Sequence, residues 1–206
     1  MIDMKIYDKS KENSYNLIKE SPKLTGYASI DKPWLKFHSE KAINASMPDM
    51  SMYDYLYEKN KNNLNEVAIN YFGTEITYKE FFENINKAAK ALENLGVKEN
   101  DKVTISSPTI PETAYIFYAL TKLGAVANMV DPRKSSKEME EYCLEAKSKL
   151  FIVIDQAAFK AKDFEKRKIV DNVLILNASS SFPNRLKILY NIMNLSKIIN
   201  NKNILK

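Results

Sequence analysis

The chain has 206 residues, 45% of them hydrophobic and 28% charged, with a formal net charge of +5. That balance excludes a disordered chain and supplies one sizeable core, since about 150 residues already hide roughly two-thirds of their surface on folding. The lone Cys143 excludes an internal disulfide, the lone His38 leaves no His/Cys set for a metal, and no run of about eighteen apolar residues is present to cross a bilayer.

Residues 1–50 read as a surface-wrapping segment. A helical turn is expected at Ser14 to Lys19, and Ser21-Pro22-Lys23-Leu24-Thr25-Gly26-Tyr27 and Asp31-Lys32-Pro33-Trp34 are rich in turn formers. Trp34 is expected to anchor this arm by burial, in preference to lining a pocket with Phe37 and Met47. His38 reads as solvated or capping. Met50 to Asn60 predicts a helix with Met52, Tyr53, Leu56 and Tyr57 on one side. The strand Val67 to Tyr71 follows, and the turn at Gly73 makes a hairpin with Glu75 to Thr77.

From Thr77 the pattern becomes regular. Thr77-Tyr78-Lys79-Glu80, Thr109-Ile110-Pro111-Glu112 and Ser135-Ser136-Lys137-Glu138 each have the Ser/Thr-x-x-Glu spacing in which a hydroxyl and a carboxylate satisfy orphan N–H groups at a helix start. Their separation of about thirty residues is the length of a βαβ unit. In the first helix Phe81, Ile85, Ala88, Ala89, Leu92 and Leu95 share a stripe. The second, Pro111 to Leu123, is apolar on nearly every side and should be buried. The third, Ser136 to about Lys147, turns Met139, Tyr142, Cys143 and Ala146 inward, so Cys143 reads as a core residue and not a nucleophile. Gly96 and Gly124 stand where the first two helices would end in a left-handed turn.

Between these helices lie Lys102 to Ser106, Ala125 to Val130 and Leu150 to Ile154, continuous apolar runs of the kind expected of strands covered on both faces. Gln156 to Lys168 predicts a further helix, Val173 to Leu176 a strand, and Asn184 to about Ile199 a last helix with only a thin polar stripe. The fold class expected is therefore α/β, a layered and mostly parallel sheet flanked by helices.

At these residues a resemblance enters. The runs EITYKEFFENINKAAKALENLGVKENDKVTI, SSPTIPETAYIFYALTKLGAVANMVDP and SSKEMEEYCLEAKSKLFIVID resemble the N-terminal portion of the AMP-forming acyl-CoA synthetase, or adenylate-forming, enzyme family, over roughly Ser51 to Asp155. One departure is Asn128-Met129-Val130, where that family more often carries Val-Pro-Leu. The resemblance implies that residues 51–206 are an α/β N-terminal subdomain and that the full-length enzyme is a ligase. There a carboxylate would attack Mg-ATP to give an acyl-adenylate and pyrophosphate, and the thiol of coenzyme A or a carrier pantetheine would then displace AMP. It also implies a Ser/Thr/Gly-rich phosphate loop downstream of the matched region.

Gly26, Gly73, Gly96 and Gly124 stand far apart and make no phosphate-gripping or dinucleotide-binding loop. No catalytic, cofactor-binding or metal-binding residue is therefore assigned, and the chain alone is expected to be inactive. The expected partners are the remainder of the polypeptide and, in the full-length enzyme, a small carboxylate.

Between Lys160 and Lys206 ten Lys/Arg face three acidic residues, but the few aromatics there argue against nucleic acid. With no signal-like opening stretch, the expected location is cytoplasmic. A rival reading is a stand-alone α/β binding module using the crevice at the carboxyl ends of its strands, near Ser106, Ser107, Thr109 and Asp131. Those residues also suit ordinary helix caps.

Overall fold

A computed structural model describes residues 24–46 and 48–196. The chain divides into two compact units, one ending at Pro48 and one beginning at Asp49. The expected turn at Ser14 to Lys19, Ser21 to Lys23, Met47 and the end of the last helix beyond residue 196 lie outside the described residues.

In the first unit, α1 (Ala28–Asp31), a 3-10 turn (Pro33–Phe37) and α2 (Glu40–Ile43) follow one another closely. The carboxylate of Asp31 accepts from the Thr25 and Gly26 amides, each at 2.9 Å, and from the Thr25 hydroxyl at 2.8 Å, which holds its own pKa below the usual range. Ser39 caps α2 by accepting from the Ala42 amide. Trp34 is 45% exposed and Phe37 76% exposed, and within this unit α1, the 3-10 turn and α2 bury no residue. The 3-10 turn presents these side chains outward, and His38, at its C-cap, is solvated.

The second unit opens with α3 (Met52–Asn60), started by the Ser51 hydroxyl, and with the hairpin β1 (Val67–Tyr71) and β2 (Thr74–Thr77). Phe72 and Gly73 form its two-residue turn with φ of 52° and 88°, as a right-handed hairpin requires. Of the α3 side chains expected inward, Tyr53 is buried and Leu56 half-buried, whereas Met52 and Tyr57 are exposed.

Helix α4 (Tyr78–Asn94) begins with the predicted reciprocal cap: the Glu80 amide donates to Thr77 Oγ1 at 3.3 Å, and the Thr77 amide donates to Glu80 Oε2 at 2.8 Å. It buries Phe81, Phe82, Ile85, Ala89 and Leu92. At its end the Val97 amide reaches Leu92 O and the Gly96 amide Glu93 O, the paired bonds of a left-handed helix stop.

The sheet contains β3 (Lys102–Ser106), β4 (Val126–Met129), β5 (Leu150–Ile154) and β6 (Asn172–Leu176), all parallel, in the order β4-β3-β5-β6 among the described residues. Helix α5 (Pro111–Lys122) carries the chain from β3 outward to β4, and α6 (Ser136–Ala146) carries it back across β3 to β5. Right-handed crossovers in opposite directions put these two helices on opposite faces. Thr104 and Ser106 meet the α6 side: Thr104 Oγ1 lies 2.5 Å from Ser148 Oγ, and Ser106 donates to Met139 Sδ at 4.0 Å. α5 buries Tyr115, Ile116, Ala119 and Leu120, as its all-round apolarity predicts, and packs against α4 and α3.

Four expectations are corrected here. Thr109 and Glu112 form no capping box: α5 starts at Ile110 with no side-chain cap, and Pro111 fills the first helical position, where its missing N–H costs nothing. β4 lies at the sheet edge with Val126 48% and Met129 50% exposed, so it is not buried on both faces. Tyr142 of α6 is exposed, while Met139 and Cys143 are fully buried.

Finally, Gln156 to Lys168 is not an α-helix but a 3-10 helix (Asp155–Ala161) followed by turns to Lys168. Cross-chain bonds hold it there. Lys160 Nζ donates to Pro132 O at 2.8 Å and Lys134 O at 2.7 Å, Glu165 Oε1 accepts the Val173 amide at 2.6 Å, and Arg167 is forked onto Glu140. Helix α7 (Asn184–Met193) closes the described fold; none of its residues is buried, and Ile188, Leu189, Ile192 and Met193 are exposed.

Candidate functional site

In an open parallel sheet the strand ends and helix starts that face one way leave a crevice beyond the carboxyl edge. A cleft of about 370 Å³ lies there. The exit of β3 supplies Pro108 and that of β4 supplies Pro132 and Arg133. β5 and its 3-10 extension supply Ile154, Gln156, Ala157, Phe159 and Lys160, and β6 supplies Ala178. The walls are mainly apolar, with two cations among them. Phe159 is 64% exposed, a large aromatic surface presented to solvent at the wall.

Each polar wall residue is held by a partner. Arg133 donates to both carboxylate oxygens of Asp131, at 2.6 to 3.0 Å, which brings the Asp131 carboxyl down to about 2 and raises the guanidinium. The pair is solvated, so it orients more than it stabilises. Lys160 spends two of its three donors on the carbonyls of Pro132 and Lys134, while Ser136 Oγ returns a bond to Lys160 O at 2.5 Å. Gln156 Nε2 donates to Tyr190 Oη at 3.0 Å, and that hydroxyl donates to Asp155 at 3.0 and 3.1 Å. Burial pushes the Tyr190 phenol up to about 12, the nearby Asp155 carboxylate acting in the same direction. α7 is thereby tied to the floor of the cleft.

Behind the wall, Thr113 Oγ1 donates to Pro108 O at 2.9 Å and lies 2.8 Å from Ser107 Oγ, fixing the turn after β3. Next to it Glu112 Oε1 accepts from Ser181 Oγ at 2.6 Å. Glu112 Oε2 is buried with no hydrogen-bond partner among the described residues, an arrangement that costs about 1–3 kcal/mol. Burial raises the phenol of Tyr115, and burial followed by the Glu112 charge raises that of Tyr71.

None of Ser106, Ser107, Thr109 and Asp131 lines the cleft. Ser106 faces α6, Ser107 is engaged by Thr113, Thr109 is exposed, and Asp131 acts through Arg133. The residues that do line it were missed because they are common types scattered over four loops. Only Phe159-Lys160, an aromatic beside a cation just past a strand, offered a local signal. Cys143 is no part of the site: burial lifts its thiol to about 11, as suits a core residue. Among the described residues no group of three His, Cys, Asp or Glu could hold a metal, and no helix is long and apolar enough to cross a membrane.

A model of the AMP-binding enzyme family matches residues 56–190, the stretch that builds this sheet and cleft. Acetyl-coenzyme A synthetase of Helicobacter pylori (strain G27) is 30% identical over 182 residues, covering 82% of this chain and 27% of that protein. Acetyl-coenzyme A synthetase 1 of Candida albicans is 36% identical over 118 residues, covering 54% of the chain and 18% of the relative. The chain thus spans less than a third of the length of these relatives. Among solved structures, an anthranilate CoA ligase in complex with anthranoyl-AMP superposes with a TM-score of 0.59 at 19% identity, over 63% of this chain and 26% of that one. The inhibitor-bound N-terminal domain of a Mycobacterium tuberculosis protein, FACL13, superposes with a TM-score of 0.57 at 21% identity, over 62% and 33%. At these identities the structural likeness is one of fold.

Proposed function

This chain belongs to the AMP-binding enzyme family, and from that premise we propose that it is the N-terminal part of an AMP-forming acid–thiol ligase. In this reading the complete enzyme joins a carboxylate to ATP, releases pyrophosphate, and passes the acyl group from AMP to the thiol of coenzyme A or a carrier pantetheine. Residues 51–206 are its N-terminal α/β subdomain. The observation that carries the reading is the coincidence of the family match, residues 56–190, with a parallel sheet whose carboxyl edge opens into a cleft.

In this reading the triphosphate cradle belongs to the rest of the enzyme: among the described residues Gly26, Gly73, Gly96 and Gly124 each sit at positive φ in a separate turn and gather no common run of backbone N–H groups. Accordingly we assign no adenylation step, and no catalytic, metal-binding or nucleotide-binding side chain, to this chain. Its share is scaffold and one wall of the substrate cleft, apolar and flanked by Arg133 and Lys160. ATP, Mg and the thiol cofactor act in the complete enzyme. The partners in this reading are the rest of the polypeptide and a small carboxylate, not nucleic acid, and the location is cytoplasmic.

The test is pyrophosphate release by the full-length protein with ATP, Mg and coenzyme A over a panel of acetate, longer fatty acids, aryl acids and amino acids. Release with at least one acid, and none from the 206 residues alone, is the expected result. No release with any acid would remove the ligase reading.

A further inference from the structure

Glu112 departs from the local chemistry of its own helix. Thr109 has the sequence spacing of a reciprocal cap with it, yet α5 starts one residue later, uncapped at Ile110, and the Glu112 carboxylate turns to Ser181 instead, leaving Oε2 buried without a donor among the described residues. A buried carboxylate oxygen left without a donor marks a position kept for something other than helix stability.

What the bond joins is the two loops on either side of β5. In the order β4-β3-β5-β6, β5 lies between β3 and β6, so a bond from the start of α5 to the loop after β6 closes over the carboxyl end of β5. Pro108 on one side and Ala178 on the other, each within about one turn of the bonded residues, are both walls of the cleft. The loop is anchored at its far side by Phe182, which stacks on Tyr71 at 5.5 Å and meets Phe72 and Tyr190 edge-on at 5.3 and 5.7 Å. Ser179, whose buried hydroxyl meets Asn177 and, on α7, Asn191, ties it to that helix, and the Ser181–Glu112 bond is its tie to α5.

We propose that Glu112 is a positioning residue that, by clamping Ser181, sets the spacing between the β3 and β6 walls of the cleft and so governs how tightly the cleft holds its ligand. This rests on the reading of the cleft as the substrate wall of an acid–thiol ligase. The clamp does not touch the reacting atoms, so its effect is on binding and not on the chemical step.

The experiment compares Glu112→Ala, Ser181→Ala, the double variant and Ser181→Thr, which keeps the donor hydroxyl, in the full-length protein. Amide exchange reads the clamp directly, because the Ser179, Ser180 and Phe182 amides are hydrogen-bonded within the loop and have protection to lose. Exchange there should rise at least tenfold in both alanine variants, with β3 and α4 unchanged. The double variant should be no worse than either single one, and Ser181→Thr should stay near wild type. KM for coenzyme A or the acid should rise at least fivefold in the alanine variants with kcat within twofold.

Unchanged loop exchange, or exchange raised evenly over the whole chain, overturns the clamp. Faster loop exchange with unaltered KM overturns the positioning role. If the wild-type protein turns over no acid, the ligase reading fails by itself, and the clamp is then judged on exchange alone.

Discussion

Tyr190 is the residue through which α7 is fastened to the sheet, and Tyr190→Phe removes that fastening while keeping the ring. The phenyl group still meets Phe182 edge-on at 5.7 Å, so packing is conserved. What disappears is one donated bond shared between the Asp155 oxygens at 3.0 and 3.1 Å and one accepted bond from Gln156 at 3.0 Å. A bond to a carboxylate contributes about 1.5–3 kcal/mol and a neutral one about 1 kcal/mol. Gln156 is exposed and regains water, and Asp155 keeps other interactions, so roughly half of the sum is lost, about 1.5 kcal/mol. For a chain of this size that corresponds to about 3–6 °C in Tm. Thermal and urea unfolding followed by far-UV circular dichroism would measure it. Tyr190→Leu, which also discards the ring contacts, should be worse still. A fall in Tm under about 1 °C for Tyr190→Phe would refute the assignment of α7's attachment to this network.

Three further outcomes are expected. Thr77→Ala, which breaks an observed capping box, should cost about 1 kcal/mol in urea unfolding, whereas Thr109→Ala, at the box that does not form, should cost nothing measurable. Gly124→Ala should destabilise more than Gly96→Ala. Both glycines lie at positive φ, a strain of about 1–2 kcal/mol for alanine, but the new Cβ would stand 2.9 Å from Glu99 Cγ at the first site and 3.7 Å from the Lys149 amine at the second.

The third outcome concerns pH. Glu138 is held down to about 2, chiefly by Lys134 and then by the Ser135 cap, and Asp131 is held at about 2 by Arg133. Depressed carboxylates contribute stability above their unfolded values, near 4.5 and 3.8, and lose it as pH falls toward 2. Tyr190, raised, contributes below 10 and loses its contribution as pH climbs toward 12. The urea midpoint should therefore decline at both ends, with the acid decline reduced in Glu138→Gln.

The strands and α4 were legible in the sequence because their signals are local. Val103 and Ile105, and the five residues Leu150 to Ile154, are apolar runs with one stable destination, and Thr77 with Glu80 carries its cap within a single turn. Where the outcome depends on residues distant in the chain, the local pattern misleads. Ala157, Ala158, Ala161 and Phe164 recur at helical spacing and are all buried, but Lys160 reaches carbonyls of the loop after β4, and the backbone winds into a 3-10 turn to let it. Val126 and Met129 have the composition of a covered strand, and only the strand order makes β4 an edge. The cleft was illegible for the same reason. Its walls come from four loops, and nothing in Pro108 or Ala178 alone announces that they face one another.

The strand order also fixes a timetable for synthesis. β3 is the first strand of the sheet to leave the ribosome, yet its two neighbours arrive later and on opposite sides, β4 at residues 126–129 and β5 only at residues 150–154. A nascent chain that has just completed α6 therefore carries β3 with one bonded edge and one bare edge, and Thr104 still lacks the Ser148 hydroxyl that completes its buried pair. At about 5–20 residues per second the emergence of β5 fills that edge within seconds. The interval during which the central strand can recruit a foreign partner is thus set by the length of α6, and each residue inserted between β4 and β5 would prolong it.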